Sequence, residues 1–574
     1  MKVLKFLKKY WFFALLAPLF MIGEVSMDLI QPKLMSEIVD KGVLKSNMDV
    51  ILKSGLLMLL FTAIGGITGI LSGVFTNLAS QNFANDLRKK LYEKITSLSF
   101  EQTDKFTTGS LITRLTNDVT AVQNFVSVAL RMFVRSGFMF AGGIIMLLSL
   151  NITFGRVTAF ILPLQLVVIF IFLKKVSPVF MVVQKKLDSV NSVVLENVTG
   201  SRVVKAYVRE NYEKDRFSVE NDDLMNTNLK VMKMMASIGP IMMLLMNIAV
   251  VFIIYVGGLK AKLGEIQVGE IMAAINYVTM IIHSLMMVSM MFQMVTRARA
   301  SMKRISEVLG TEVKIVDGNL TEESEKSNEY IEFKDVKFSY PTARSKPVID
   351  GFNLKIKKGE RIAILGSTGS GKTTLINLIP RFYDTLEGGV FVEGINVKDY
   401  KLSELRDKIC VVMQKSELYS GTISDNIRMG KQDATDEEII KAATIAQADD
   451  FITSFENGYD TFVSEKGASL SGGQKQRISI ARALIKKPEI LIFDDSTSAL
   501  DLATEARLHK ALNEELTETT VIMIAQRIAS IKNCDRIVVI DKGRVADVGT
   551  HDELMGKSEI YLDIYNSQLQ NFGE

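Results

Sequence analysis

The sequence predicts a two-part fold: an α-helical polytopic membrane domain of six spans, then an α/β domain built around a phosphate-binding loop. Three observations carry this. Hydrophobic residues make up 48% of the 574 residues, and up to about residue 295 they gather into long blocks. Beyond that point short apolar strands alternate with helical periodicity, the pattern of a soluble α/β protein. One such strand, RIAIL, runs into GSTGSGKTT and then into a helical pattern. A chain of this length exceeds one ordinary core, so two or more domains are expected.

The apolar blocks lie near 11–31, 55–79, 129–150, 156–173, 236–258 and 271–294. A hydrocarbon core about 30 Å thick takes about 20 helical residues, so each block is long enough to cross. The start, MKVLKFLKKYWFF, is basic and then apolar, as a cleaved signal peptide also is. It has no small-residue cleavage site and its apolar run continues too far, so it reads as an interfacial helix leading into the first span. The connections 80–128 and 174–235 are long, charged and helix-patterned, and the others are short. The long ones carry Arg88, Lys89, Lys90, Lys94, Lys174, Lys175, Lys185, Lys186, Arg202 and Lys205, which by the positive-inside tendency places them, and both termini, in the cytosol. The expected division is a membrane domain 1–309, a polar linker 310–328 and a soluble domain 329–574.

Composition excludes several classes. A net charge of +4 argues against a dedicated nucleic-acid binder. Cys410 and Cys534, far apart in the soluble half, exclude a disulfide scaffold or a cysteine zinc site and suit a reducing cytosol. With only His283, His509 and His551, histidine-based metal chemistry is not expected.

The soluble half carries the chemistry. Gly366, Ser367, Thr368, Gly369, Ser370, Gly371, Lys372, Thr373 and Thr374 form a phosphate loop with a strand before it and a helix after it. Its glycines allow backbone N–H groups to wrap phosphates, and the helix start adds a favourable dipole. Lys372 should reach the β- and γ-phosphates of a nucleotide, and the Thr373 hydroxyl should ligate Mg²⁺. Further on, LIFDDSTSALD (491–501) is a buried strand that empties into two carboxylates. Asp494 suits the cation shell, and Asp495 stands where a water-activating group would be.

LSGGQKQR (470–477), just upstream of that strand, resembles the signature motif of ATP-binding-cassette proteins. Other elements follow the family's order. Tyr340 resembles the aromatic residue that stacks on adenine, Gln414 the glutamine that links Mg²⁺ to the membrane domain, and SALD (498–501) the dimer-contacting loop. FTTGSLITRLTNDV (106–119) and ENVTGSRVVKAYVRENYE (196–213) look like the cytosolic loops of exporters. The resemblance covers essentially the whole chain and implies a bacterial exporter half-transporter: one membrane domain fused to one cassette, with ATP and Mg²⁺ as its ligands. It also implies a second half-transporter as partner, because each ATP lies between the phosphate loop of one chain and Ser471, Gly472, Gly473 and Gln474 of the other. Expected surroundings are the lipids of the cytoplasmic membrane and a small amphipathic substrate, with no nucleic acid.

Two positions depart from the family pattern. Where it has glutamate after the strand aspartate, this sequence has Asp495. One methylene fewer withdraws the carboxylate by about 1.3 Å, and a misplacement of about 1 Å can cost about 10²-fold. Where the family usually has histidine, the sequence has Gln526, which donates a hydrogen bond but cannot become a cation. Together they imply a hydrolysis-impaired site. The intact signature implies service to a partner's site, the arrangement of asymmetric heterodimeric exporters, many of which are multidrug pumps. A lipid or lipid-linked flippase, or an ATP-gated sensor without transport, is the alternative.

The membrane half says less about cargo. Met242, Met243, Met246, Met280, Met286, Met287, Met290, Met291 and Met294 suit either a surface that repacks around apolar ligands or ordinary helix packing. Glu24 and Asp28 lie one turn apart in the first span, and Arg131 and Arg135 repeat that spacing in the third. They are read either as mutual structural partners or as acids that attract cationic compounds. Coupling between the halves is expected at the loop tips near 106–110 and 208–214, with Phe106, Tyr207 and Tyr212 as anchors beside Gln414.

Overall fold

The computed structural model describes residues 3–319, 329–340 and 347–570, so residues 320–328 of the expected linker lie outside the described residues. The chain forms two compact units: Met1–Thr96 with Gly109–Thr311, and Ser97–Thr108 with Glu312–Glu574. This differs from the sequence-based division at one loop and at the linker. Residues 97–108, inside the first long loop, pack with the soluble unit. Phe100 stacks near Phe382, with ring centroids 4.7 Å apart, and Asp104 accepts a hydrogen bond from the Tyr383 hydroxyl at 3.2 Å. The described part of the linker lies on the same unit. The Gly318 N–H donates to the Tyr400 carbonyl at 2.9 Å, and Arg381 Nη1 donates to the Val316 carbonyl at 2.9 Å.

Among the described residues, six helices are long and apolar enough to cross a membrane: Val3–Val43, Met48–Thr96, Thr108–Leu150, Ile152–Thr199, Glu210–Lys262 and Val268–Met287. Several run far beyond their apolar blocks. Glu210–Lys262 has 53 residues, which at the α-helical rise is roughly 80 Å. The stretch Val3–Tyr10 is a 3₁₀ helix whose Lys9 and Tyr10 both bond Asp86, at 2.8 and 2.9 Å. The first and second helices approach closely because Gly65 and Gly69 carry no side chain. A Cβ on Gly69 would stand 2.7 Å from Glu24 Oε2. Arg135 bonds Glu24 through Nη1 and Asp28 through Nη2, the latter at 3.0 Å. Of the two readings of these acids, mutual structural pairing with Arg135 is what the side chains adopt.

The soluble unit holds a six-stranded sheet in the order Arg544–Gly549, Arg536–Asp541, Arg361–Gly366, Thr520–Ile524, Ile490–Asp494, Ile409–Val412. Every pairing is parallel except that of the edge strand Arg544–Gly549. Both faces are covered, which is why Ile490–Asp494 and Thr520–Ile524 are apolar runs buried along their length and not alternating strands. A second, antiparallel sheet pairs Ile331–Phe338 with Ile349–Ile356 on one side and Glu387–Val392 on the other.

Candidate nucleotide site

Parallel strands point the same way, so whatever follows each of them gathers at one edge of the sheet. Four neighbouring strands deliver the candidate residues there. Arg361–Gly366 leads into the glycine-rich loop, Ile409–Val412 into Gln414, Ile490–Asp494 into Asp495, and Thr520–Ile524 into Gln526.

The loop from Gly366 to Thr374 needs its glycines for specific reasons. Gly369 and Gly371 have φ of +84° and +101°, a left-handed backbone that side chains disfavour. A Cβ on Gly366 would lie 2.3 Å from the Ile540 carbonyl oxygen. Ser367, Thr368 and Gly369 are exposed, whereas Ser370 is buried and its hydroxyl has no hydrogen-bond partner among the described residues. Lys372 opens the helix Lys372–Leu378, and its Nζ donates to the Gly366 and Ser367 carbonyls at 2.8 and 2.9 Å. Burial pulls its pKa below the usual lysine value, against the pull of Asp495 and Asp494. Thr373 Oγ1 donates to Asp494 Oδ1 at 2.9 Å. Burial raises the Asp494 pKa, opposed by the Thr373 bond and reinforced by neighbouring Asp495.

Asp495 sits in a left-handed turn, φ +47°, where the strand ends. Its N–H donates to the Ile524 carbonyl at 2.9 Å. A single carboxylate oxygen, Oδ2, accepts from both Gln414 Nε2, at 3.1 Å, and Gln526 Nε2, at 2.8 Å. Burial pushes the Asp495 pKa up, with the Gln414 bond the strongest opposing influence. The three residues that the sequence marks for base, switch and cation-linking roles are therefore bonded to one another.

Tyr340 is half-buried at the far side of the loop. Its hydroxyl lies 3.1 Å from Thr374 Oγ1, and its ring meets Phe338 and Tyr383 edge-on at 5.0 and 5.4 Å. Sequence reasoning missed Tyr383, which touches both Tyr340 and, through its hydroxyl, Asp104 of the first loop tip. No local pattern marks it; only the fold brings these segments together. It also missed Arg527, which donates to the Ser498 carbonyl at 3.4 Å and pairs with buried Glu505 at 3.7 Å. Its position directly after Gln526 was the available signal.

The signature residues are placed apart. Ser471 caps the helix Gly472–Leu484, its hydroxyl accepting from the Gln474 N–H at 3.3 Å while the Gln474 side chain accepts from the Ser471 N–H at 2.9 Å. Gly473 lies against Ala499 of the SALD loop, where a Cβ would sit 3.1 Å from the Ala499 carbonyl. Ser471 and Gly472 are exposed, and among the described residues no hydrogen bond joins the signature to the phosphate loop. At the first loop tip Phe100 packs against Phe382, a contact the sequence did not single out. Tyr207 and Tyr212 of the second tip are 73% and 60% exposed.

Comparison with known proteins bears on the family and the fold. Residues 14–285 match the ABC transporter transmembrane region and residues 349–498 match the ABC transporter cassette. An uncharacterized ABC transporter ATP-binding protein of Bacillus subtilis (strain 168), YfiB, is 40% identical over 100% of this chain and 99% of its own length. An ATP-dependent lipid A-core flippase of Syntrophus aciditrophicus (strain SB) is 32% identical over 92% of this chain and 88% of its own length. A bacterial Atm1-family ABC exporter solved with ATP bound shares the fold, with a TM-score of 0.82 at 24% identity over 96% of this chain and 98% of that one. The chain belongs to the ABC transporter family, with an exporter-type membrane region fused to an ATP-binding cassette.

Proposed function

We propose that the chain is one subunit of a heterodimeric ATP-driven exporter in the cytoplasmic membrane, with its cassette in the cytosol. Its own site holds ATP with little hydrolysis, and its signature helix completes the partner's site. The observation that carries this reading is the pair of carboxamides on Asp495 Oδ2. A general base must offer a lone pair to water, and here Oδ2 of the short carboxylate is already engaged by two donors, neither of which can become a cation, so only Oδ1 is left to serve water.

The site's residues fit ATP and Mg²⁺. Thr373 and Asp494 supply a hydroxyl and a carboxylate 2.9 Å apart, hard oxygen donors of the kind Mg²⁺ takes, and Gln414 lies beside them on the neighbouring strand end. When bound, the cation neutralises phosphate charge. Lys372 would turn from its two carbonyl acceptors to phosphate oxygens, whose negative charge would offset the burial that lowers its pKa. Ser367, Thr368 and Gly369 are exposed on the loop and would be open to the same anion. Tyr340 offers a ring for adenine once it turns from Tyr383. On this reading the site favours ATP binding and activates water poorly.

Amphipathic compounds are the proposed cargo, resting on the methionine-rich fifth and sixth helices. A lipid flippase is the second reading, favoured by the flippase relative above. ATPase measurements on the purified chain, alone and with a glutamate-bearing partner, test the main proposal: turnover should need the partner, and brisk turnover by the chain alone would refute it.

A further inference from the structure

The membrane unit contains an ionic knot that neither the ATP site nor the spans explain. In the third long helix, Arg114–Asp118 forms a π-helical turn, a widened geometry that often marks functional positions. Both end residues are buried, Arg114 to 8% exposure and Asp118 to 3%. They face the cytosolic end of the helix Val268–Gly310. Asp118 accepts from Ser301 Oγ at 2.8 Å and from Arg304 Nε at 2.8 Å, and Arg304 Nη2 closes a bidentate pair at 2.5 Å. Arg114 Nη1 donates to the Arg304 carbonyl at 2.7 Å and lies 3.3 Å from Glu307 Oε2. The seam around the knot is apolar and closed: Leu111, Val119, Val122, Ala298, Ile305 and Val308 are all buried.

Its place in the chain gives it meaning. The polypeptide passes between the two units at Thr96–Ser97, Thr108–Gly109 and Thr311–Glu312. Arg114 lies five residues after the second passage and Glu307 four before the third. The knot therefore ties together two of the three covalent connections, on the membrane side of both. A buried carboxylate held by a guanidinium fork and a hydroxyl has one low-energy arrangement and tolerates little sliding, because partial separation leaves an unpaired buried charge.

We propose that Asp118 and Arg304 are positioning residues for energy coupling: they lock these two connections into one rigid strut, so that nucleotide-driven movement of the cassette reaches the sixth span. Without the lock the cassette responds to ATP and the spans do not. The inference concerns ATP binding only, so it stands whether or not Asp495 supports hydrolysis.

The test is hydrogen–deuterium exchange on the full-length transporter in lipid nanodiscs, with and without ATP in EDTA so that no turnover occurs. Two responses are read: protection of 366–374 in the cassette and the change in exchange over 268–300. In the parent protein both should respond. In Asp118→Asn the cassette response should persist within about twofold while the span response falls at least fivefold, and the exchanged pair Asp118→Arg with Arg304→Asp should restore at least half of it. Should Asp118→Asn fail to assemble, Ser301→Ala, which removes one donor and keeps the ion pair, should still halve the span response. Equal span responses in parent and variants, or parallel loss of both responses, would overturn the proposal.

Discussion

The strand-end cluster and the signature helix belong to one cassette and are finished to opposite degrees. At the strand ends every principal group already has a partner from its own chain: Lys372 has loop carbonyls, Thr373 has Asp494, and Asp495 has two glutamines. The signature satisfies only its own helix start, and Ser471 and Gly472 face outward. The loop tips repeat the contrast. Phe100 is packed against Phe382, whereas Tyr207 and Tyr212 are bare. On the proposed reading, the open half of each pair is the part that a second half-transporter would complete.

The largest expected effect follows from the open half. In the assembled complex, Ser471→Ala or Gly472→Asp should lower ATPase turnover on the order of 10²-fold by removing contacts to a phosphate held by the partner, as loss of an oxyanion-type donor does. Asp495→Ala and Gln526→Ala should leave turnover within about twofold. Equal losses from both groups would break the comparison.

A smaller gain sharpens it. In the chain alone, Asp495→Glu combined with Gln526→His restores the longer carboxylate and a group able to carry charge, and should raise turnover on the order of 10-fold, a fraction of the roughly 10²–10⁴-fold that a fully positioned general base contributes. If neither single nor double variant gains activity in a steady-state phosphate-release assay, the closed cluster is not what limits hydrolysis.

The tips provide the third comparison. Tyr383→Phe deletes one hydrogen bond to Asp104 and should lower melting temperature by only a few degrees, as a loss of about 1 kcal/mol does. Tyr212→Ala should leave melting temperature and ATP affinity unchanged in the single chain, and weaken substrate-stimulated ATPase in the complex. A destabilised single chain would show that Tyr212 serves its own loop.

The smallest effect concerns the thiols inside the closed part. Burial pushes Cys410 up to about 11 and Cys534 up to about 12. Only the thiolate reacts, so alkylation of the folded protein should be slow at pH 8 and rise about tenfold per pH unit below those values. Rapid labelling at pH 8 without unfolding would show that the segments around these cysteines open.

Much of this molecule was legible in the chain. Six spans follow from the length of apolar runs, since a bilayer of given thickness admits few alternatives. The loop Gly366–Thr374 was recognisable because close approach to phosphate demands glycine at fixed spacing, and Gly369 and Gly371 indeed have positive φ. Asp495 and Gln526 could be singled out as unusual side chains. Their mutual arrangement could not, because Gln414, Asp495 and Gln526 lie 81 and 31 residues apart, and only parallel strand order brings their ends together. The same holds for the Asp118–Arg304 pair, 186 residues apart, and for Phe100 against Phe382. Local chemistry and solvent determine which segments form; which distant side chains meet depends on how the segments pack, and packing is a property of the whole chain.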